Sequence, residues 1–440
     1  MSFFLRSRRY FSSMNILGGL LLFITAILAG IIANSSLSSY YQDFLSMPVR
    51  IQVGDFNFFS HNGRPMSMLE FINDGLMAFF FFAVGLEIKR ELLVGELSSF
   101  RKALLPFIAA CGGMIIPVLI YAFICPPGSE GGEGIAIPMA TDIAFSLGVL
   151  SLLGTRVPLC LKVFLTAFAV VDDIGGILVI ALFYSSHVHV GYLLGALPLF
   201  ILMYYAGKRG ATSKTFYLIG GLIIWYLFLQ SGIHSTIAGV LLAFAIPARP
   251  KLNVGKYIER IRRTIRTFPV MDEGNIVLTN KQIAKLKRVE SASDRVISPL
   301  QSLEDNLHST VNYIILPLFA FANAGVVLAG AEGDVIGSVA FAVGLGLLIG
   351  KFVGIFFFTW GAVKLNMAIL PPGMNWKNVA GVSLLGGIGF TVSLFIANLS
   401  FGTTHPELLN QAKLGVLSGT IIAAVLGYIV LYKVLPSKKS

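Results

Sequence analysis

Charge is scarce in this chain. Only 12% of its 440 residues are Asp, Glu, Lys or Arg, where a soluble domain carries roughly a quarter. A water-soluble domain of this length is thereby excluded. Cysteine is nearly absent too. Cys111, Cys125 and Cys160 are the only three, and Cys111 and Cys160 lie in or beside apolar runs. That argues against a disulfide framework. The histidines, His187, His189 and His234 among them, form no cluster with metal-ligand spacing. The short alternating strands of an outer-membrane barrel are not the dominant pattern either.

Apolar sequence fills the space. Hydrophobic residues make up 55% of the chain, and mean hydropathy is +0.80. Apolar runs of about 20 residues recur from end to end, each long enough to cross a ~30 Å hydrocarbon core. The pattern predicts an all-α polytopic membrane protein, one integral membrane domain over 1–440. Its twelve spans fall at about 15–34, 68–86, 103–123, 135–153, 158–183, 188–206, 215–230, 234–247, 309–330, 335–361, 378–400 and 412–435. The N-terminal run is basic, then apolar, then small and polar, which also describes a signal peptide. Its apolar part, Ile16 to Ala33, is long for such a leader, so it is read as a retained first span.

Basic residues orient the spans. Arg6, Arg8 and Arg9 precede the first; Lys89, Arg90, Arg101 and Lys102 follow the second; Lys208, Arg209 and Lys214 follow the sixth. The alternate connections, "PPGSEGGEG", "SSHVHV", "QSGIH" and "AEGD", hold no Lys or Arg. The alternation places both termini in the cytoplasm.

Two connections stand out. In "VRIQVGDFNFF", residues 49–59, apolar and polar residues alternate around Gly54-Asp55. This predicts an external β-hairpin with a two-residue turn, with an irregular loop as the alternative. The cytoplasmic connection 249–296 holds twelve Lys or Arg against five Asp or Glu, +7 of the chain's +11. Within it, "VGKYIERIRRTIRTF" puts Ile258, Ile261, Ile265 and Phe268 on one helical face. Such a helix can lie against anionic headgroups. Ordinary positive-inside charge on a solvated loop explains the same residues, and nucleic acid is not implied as a partner.

Ionisable residues inside spans cost roughly 2.5–3.5 kcal/mol each at the bilayer centre, so each one present needs a reason. Asp172 and Asp173 sit in "FAVVDDIGG" at the middle of the fifth span. Adjacent helical positions differ by ~100°, so one carboxylate can face a protein partner and the other a water-filled cavity. Asp142, in "AIPMATDIAFSLG", follows Pro138 and Thr141, where a broken helix would free backbone groups toward a cavity; a simple proline kink capped by Asp142 is the alternative. Lys351, in "GLLIGKFVGIFFF", lies about ten residues, roughly 15 Å, from a polar end. It needs an anionic partner, and Asp172 or Asp173 is the candidate. Gly386, Gly387 and Gly389 weaken the middle of the eleventh span. Interruptions in corresponding spans of two halves mark the binding site of secondary transporters. Asp74 lies near the outer end of span two, where it could line an access path, and Glu87, Lys89, Arg90 and Glu91 form a charged rim at its inner end.

Carboxylates, a hydroxyl and freed carbonyls suit a hard cation. Burial and a neighbouring like charge favour a neutral carboxyl group, and an adjacent cation favours the charged one. A cation and protons would therefore compete for the same oxygens, which is itself a way to couple their movements.

The segments "ATDIAFSLGVLSLLG", "FLTAFAVVDDIGGI", "GLMAFFFFAVGLEIKREL", "SGIHSTIAGV", "ILPLFAFANAGV" and "LLIGKFVGI" together resemble the NhaA sodium/proton antiporters, over about residues 14–435 apart from the long loop. The resemblance implies inverted-topology repeats with spans four and eleven interrupted, in the inner membrane of a bacterium. It implies a transporter rather than an enzyme, with no cofactor. The activity implied is electrogenic and pH-regulated, more protons entering than sodium ions leave, with lithium sharing the sodium route. Asp173 would be the principal ligand of the transported sodium, with Thr141 nearby. Asp172 and Lys351 would form an ion pair that breaks on cation binding, bringing Asp172 into the site. Asp142 would compensate the opposed helix ends. Glu87, Arg90 and Glu91 resemble the cytoplasmic pH-sensing region. Its second part reads "QSLEDNLH" here: Glu304 and His308 match, while Gln301 and Asp305 depart from the family's lysine and first histidine. The hairpin near Gly54 resembles an external dimer contact, implying a homodimer. Residues 249–296 are a long insertion for the family, expected to serve regulation or membrane contact rather than transport.

Two other classes share part of this pattern. An intramembrane aspartyl protease also uses two buried aspartates, but neighbours on one helix cannot both face one peptide bond, and its Gly-x-Gly-Asp motif is absent. A cation channel would carry a steady current without proton coupling. Potassium is an alternative cargo.

Overall fold

The computed structural model describes residues 2–54, 56–61, 64–184, 189–249, 254–267, 279–327, 337–402 and 404–436. Helix α1 (Ser2–Ala33) buries Leu22, Ala26, Ala29 and Ala33 in the bundle. Helix α2 (Ser38–Ser46) turns away from it by 112°. Two short antiparallel pairs follow, β1 (Gln52–Val53) with β2 (Phe56–Asn57) and β3 (Ser60–His61) with β4 (Arg64–Pro65). The strands are two residues each, far shorter than a hairpin over 49–59, and the turn residue Asp55 lies outside the described residues.

Ser67 and Glu70 form a reciprocal capping box that starts α3 (Met68–Val94), which carries a π turn at Phe71–Leu76. There follow α4 (Phe100–Ile124), a 3₁₀ segment Glu130–Met139 leading into α5 (Ile143–Leu152), and α6 (Leu159–Phe183). Next come α7 (Val190–Lys208), α8 (Lys214–Ser231), α9 (Thr236–Ala245), α10 (Val254–Arg266) and α11 (Asn280–Val296). Helix α12 covers 299–323, and α13 is Ser338–Lys364. The chain ends with α14 (Trp376–Leu385), α15 (Phe390–Phe401) and α16 (Pro406–Val434).

Among the described residues, six helices are long and apolar enough to cross a membrane, or up to nine when three bent pairs count as single spans. The expected spans 215–230, 234–247 and 309–330 correspond to α8, the ten-residue α9, and α12; none of these reaches that length and hydropathy. The start of α12 lies ten residues before the expected boundary. Ser298 caps it, its hydroxyl accepting from Gln301 N–H at 3.2 Å, and Pro299 occupies its first turn. Helix α11 stands where the sequence predicts only loop. Its signal was a capping pair: Thr279 N–H and hydroxyl both donate to Gln282 Oε1, at 2.8 and 2.9 Å.

Lipid tails are as apolar as leucine, so membrane helices gain association energy from close backbone approach at small residues. Two such contacts position the rest. Gly112 of α4 and Gly354 of α13 are so close that a Cβ on either would strike the other's backbone. Likewise Gly85 of α3 abuts Val240 and Ala243, and Gly239 of α9 abuts Ala78 and Phe82. Buried side chains form two large clusters. One joins α1, α4 to α6 and α12 to α16; the other joins α7, α8 and α9. Residues of α3 and α12 belong to both.

Candidate cation site

Two spans are broken, and the breaks meet. The 3₁₀ segment and α5 differ in direction by 47°, and α14 and α15 by 43°. Ala140, Thr141 and Asp142 lie outside helix between the first pair, with Ala140 and Asp142 extended. The freed groups of each break satisfy those of the other. Thr141 Oγ1 donates to Gly386 O at 2.8 Å, Asp142 N–H to Ile388 O at 2.6 Å, and Ser146 Oγ to Leu385 O at 3.0 Å. Close approach again requires glycine, since a side chain at Gly387 would strike Leu347 O.

Asp142 serves two helices at once. Its Oδ1 accepts from Phe145 N–H of α5 at 2.9 Å. Its Oδ2 accepts from Thr391 N–H (3.1 Å) and Thr391 Oγ1–H (2.5 Å) at the start of α15. Each helix N-terminus carries about half a positive charge, so one carboxylate offsets both. Thr391 was missed in the sequence. Its only signal is its place two residues after the last glycine of the break.

Helix α6 presents Asp172 and Asp173 in different directions, as adjacency demands. Asp172 is 1% exposed, and Lys351 Nζ donates to its Oδ2 at 2.5 Å. The same ammonium donates to Thr141 Oγ1 at 3.0 Å. Lys351 is fully buried, and the glycine contact between α4 and α13 sets its helix at this depth in the bundle. Asp173 is 7% exposed and has neither hydrogen bond nor ion pair among the described residues. It lines a cavity of about 290 Å³ shared with Thr141, Asp142, Glu87, Arg90, Glu304 and His308. The structure thus brings Asp173, Asp142 and most of the expected pH-sensing cluster onto one cavity, while Asp172 stays outside its lining.

Arg90 ties α3 to α12 at the basic end of the bundle, with its guanidinium 2.9 Å from Glu304 and 3.0 Å from Glu91. Glu91 also accepts from Glu96 N–H and does not line the cavity. His308 Nδ1 meets the Asn312 amide at 2.8 Å. Glu304 lies in the first turns of α12, ahead of its apolar part. Burial pushes its carboxyl up to about 7, with Arg90 pulling downward and Glu87, Asp305 and Glu91 adding to the rise. Asp74 sits apart, on the π turn of α3. Its carbonyl accepts from Trp225 Nε1 and Ser235 Oγ, each at 3.0 Å, and it does not line this cavity.

At the opposite end of the same helix pair stands a contact the sequence did not announce. Asn398 Nδ2 donates to Asn323 Oδ1, and Asn323 Nδ2 to Asn73 Oδ1, both at 2.8 Å. Helices α3 and α12 are therefore joined by ions at one end and by neutral amides at the other.

The profile of the Na+/H+ antiporter 1 family matches residues 9–431. The chain belongs to that family. The curated relatives named Na(+)/H(+) antiporter NhaA include those of Bacteroides fragilis and Bacteroides thetaiotaomicron. These are 71% and 70% identical over 435 residues, 99% of this chain and 99% of each relative. The relative of Porphyromonas gingivalis is 49% identical over 94% of this chain and 92% of its own length. A solved sodium proton antiporter from Methanocaldococcus jannaschii covers 98% of this chain and 99% of its own, at 15% identity and a TM-score of 0.44. Family membership and the apolar helices make this a multi-pass membrane protein.

Proposed function

We propose that the chain is an electrogenic sodium/proton antiporter of a bacterial inner membrane, with twelve spans in inverted repeats and both termini cytoplasmic. The observation that carries this is the contrast between Asp173, unpaired on the cavity, and Asp172, paired in the dry interior with Lys351. A sodium or lithium ion entering from the cytoplasm meets Asp173 first, with the Thr141 hydroxyl close by. Its charge weakens the hold of Asp172 on Lys351, and Asp172 then joins the ligands. Loaded with the ion, the site reorients outward. Protons from outside displace the cation from the same carboxylates, and the protonated site returns. Asp142 holds the two breaks together throughout, so the crossing moves as a unit.

Support for pH regulation comes from the mouth of the cavity, where Glu304 changes charge near neutrality beside Arg90. Dimerisation through the short strand pairs near Gly54 completes the assembly.

The test is sodium- and lithium-driven proton movement in everted vesicles across pH. Asp173→Asn should abolish it in correctly inserted protein. Undiminished exchange in that variant would remove the aspartate pair from the mechanism, and a steady cation current without proton coupling would favour a channel.

A further inference from the structure

The basic connection folds into two helices that pack on each other, α10 and α11. Both are tethered at the basic end of the bundle. Helix α11 ends three residues before Pro299, where α12 begins, and Leu300 N–H donates to Pro247 O just beyond α9. Helix α11 is thereby anchored beside the ends of α9 and α12, and α10 packs on it.

Helical spacing of ~100° per residue sorts the side chains of α10 into sectors. Tyr257 and Ile261 share one sector, and Tyr257 is buried. Ile258 and Ile265, seven residues apart, share the next sector and are 50% and 59% exposed. Arg262 and Arg266, both exposed, border that apolar stripe on its far side. On α11, Leu286 is exposed and Lys287 beside it is exposed as well. An apolar stripe edged by cations, held at a membrane surface, matches the boundary between acyl chains and anionic headgroups. A solvated loop has no use for two exposed isoleucines in register.

We infer that α10, with the adjoining edge of α11, is a docking surface for anionic lipid. Ile258 and Ile265 enter the headgroup boundary, and Arg262 and Arg266 bind lipid phosphates. The surface is separate from the cation site, and the inference does not depend on the transport reading.

The test places a bimane label on Ile265→Cys in full-length protein whose three native cysteines are replaced by alanine. The protein is reconstituted in nanodiscs of phosphatidylcholine, with or without phosphatidylglycerol. The expected result is blue-shifted emission and quenching by lipid-borne nitroxide, both stronger with phosphatidylglycerol. Adding Arg262→Glu and Arg266→Glu should abolish that preference while the protein remains monodisperse in detergent. Emission matching a fully hydrated label in both lipids would overturn the inference. So would quenching that ignores the charge reversal, because the arginines would then have no part in it.

Discussion

The crossing of the broken spans and the mouth of the cavity are built from the same residue types and obey different rules. At the crossing, Asp142, Asp172, Thr141 and Lys351 are nearly dry, and their partners are fixed at 2.5 to 3.1 Å. At the mouth, Arg90 is 36% exposed and bridges Glu91 and Glu304. Charge in the first region is a matter of which partner is present. In the second it is a matter of pH, since water screens the pair and Glu304 titrates near neutrality. A large chemical event therefore belongs at the crossing, and a graded adjustment belongs at the mouth.

Breaking the crossing should have the largest effects. After Asp173→Asn, the next in size is Lys351→Ala. Removing one partner of a buried ion pair costs about 3–5 kcal/mol, so its melting temperature should fall sharply in a thermal-shift assay. Some exchange should survive, because Lys351 is not itself a cation ligand. Asp172→Asn combined with Lys351→Met should recover much of that stability, since no orphaned charge remains. A double variant as unstable as Lys351→Ala would show that the pair is not the source of the loss.

Thr391→Val comes next. It strips one hydroxyl donor from Asp142 and leaves the backbone donors Phe145 and Thr391 N–H in place. An unmet buried hydrogen bond costs about 1–3 kcal/mol, measurable as a modest loss of thermal stability. Asn323→Leu, at the amide end of the helix pair, should cost a similar amount and leave the pH profile where it is. A shift of that profile would erase the distinction between the two ends.

At the mouth the expected effect is a displacement rather than a loss. Arg90 favours the charged form of Glu304, so Arg90→Gln should move the Glu304 titration to higher pH. A single opposite charge is worth one to three pH units, and partial exposure places this case at about one. The profile of exchange against pH should move in the alkaline direction by that amount, and Glu304→Gln should flatten it. A profile unmoved by either variant would detach the mouth from regulation. Smallest of all, Ile258→Asp in the docking helix should leave the maximal exchange rate unchanged.

Much of this organisation was legible in the sequence because lipid makes single residues expensive. Asp142, Asp172, Asp173 and Lys351 announce themselves by standing where charge is costly. Pro138 and the glycines 386, 387 and 389 mark the two breaks. Less legible were features that local pattern does not encode. Thr391, Asn323 and Asn398 look like ordinary polar residues of a membrane helix until their partners are known. Helix α11 was hidden because its capping pair precedes a segment with few apolar residues. Asp74 stands where charge is costly too, but away from the Asp173 cavity, on the π turn of α3.

By itself the sequence determined that the chain lives in a membrane, that its buried ions need partners, and that neighbouring aspartates must point apart. Which aspartate meets Lys351, and which one the cavity receives, depended on tertiary structure and on likeness to a family. The reason is geometric. Adjacency on a helix sets the angle between two side chains, but the rotation of that helix against its neighbours sets their surroundings. That rotation follows from backbone contacts between residues hundreds of positions apart, such as Gly112 with Gly354 and Thr141 with Gly386.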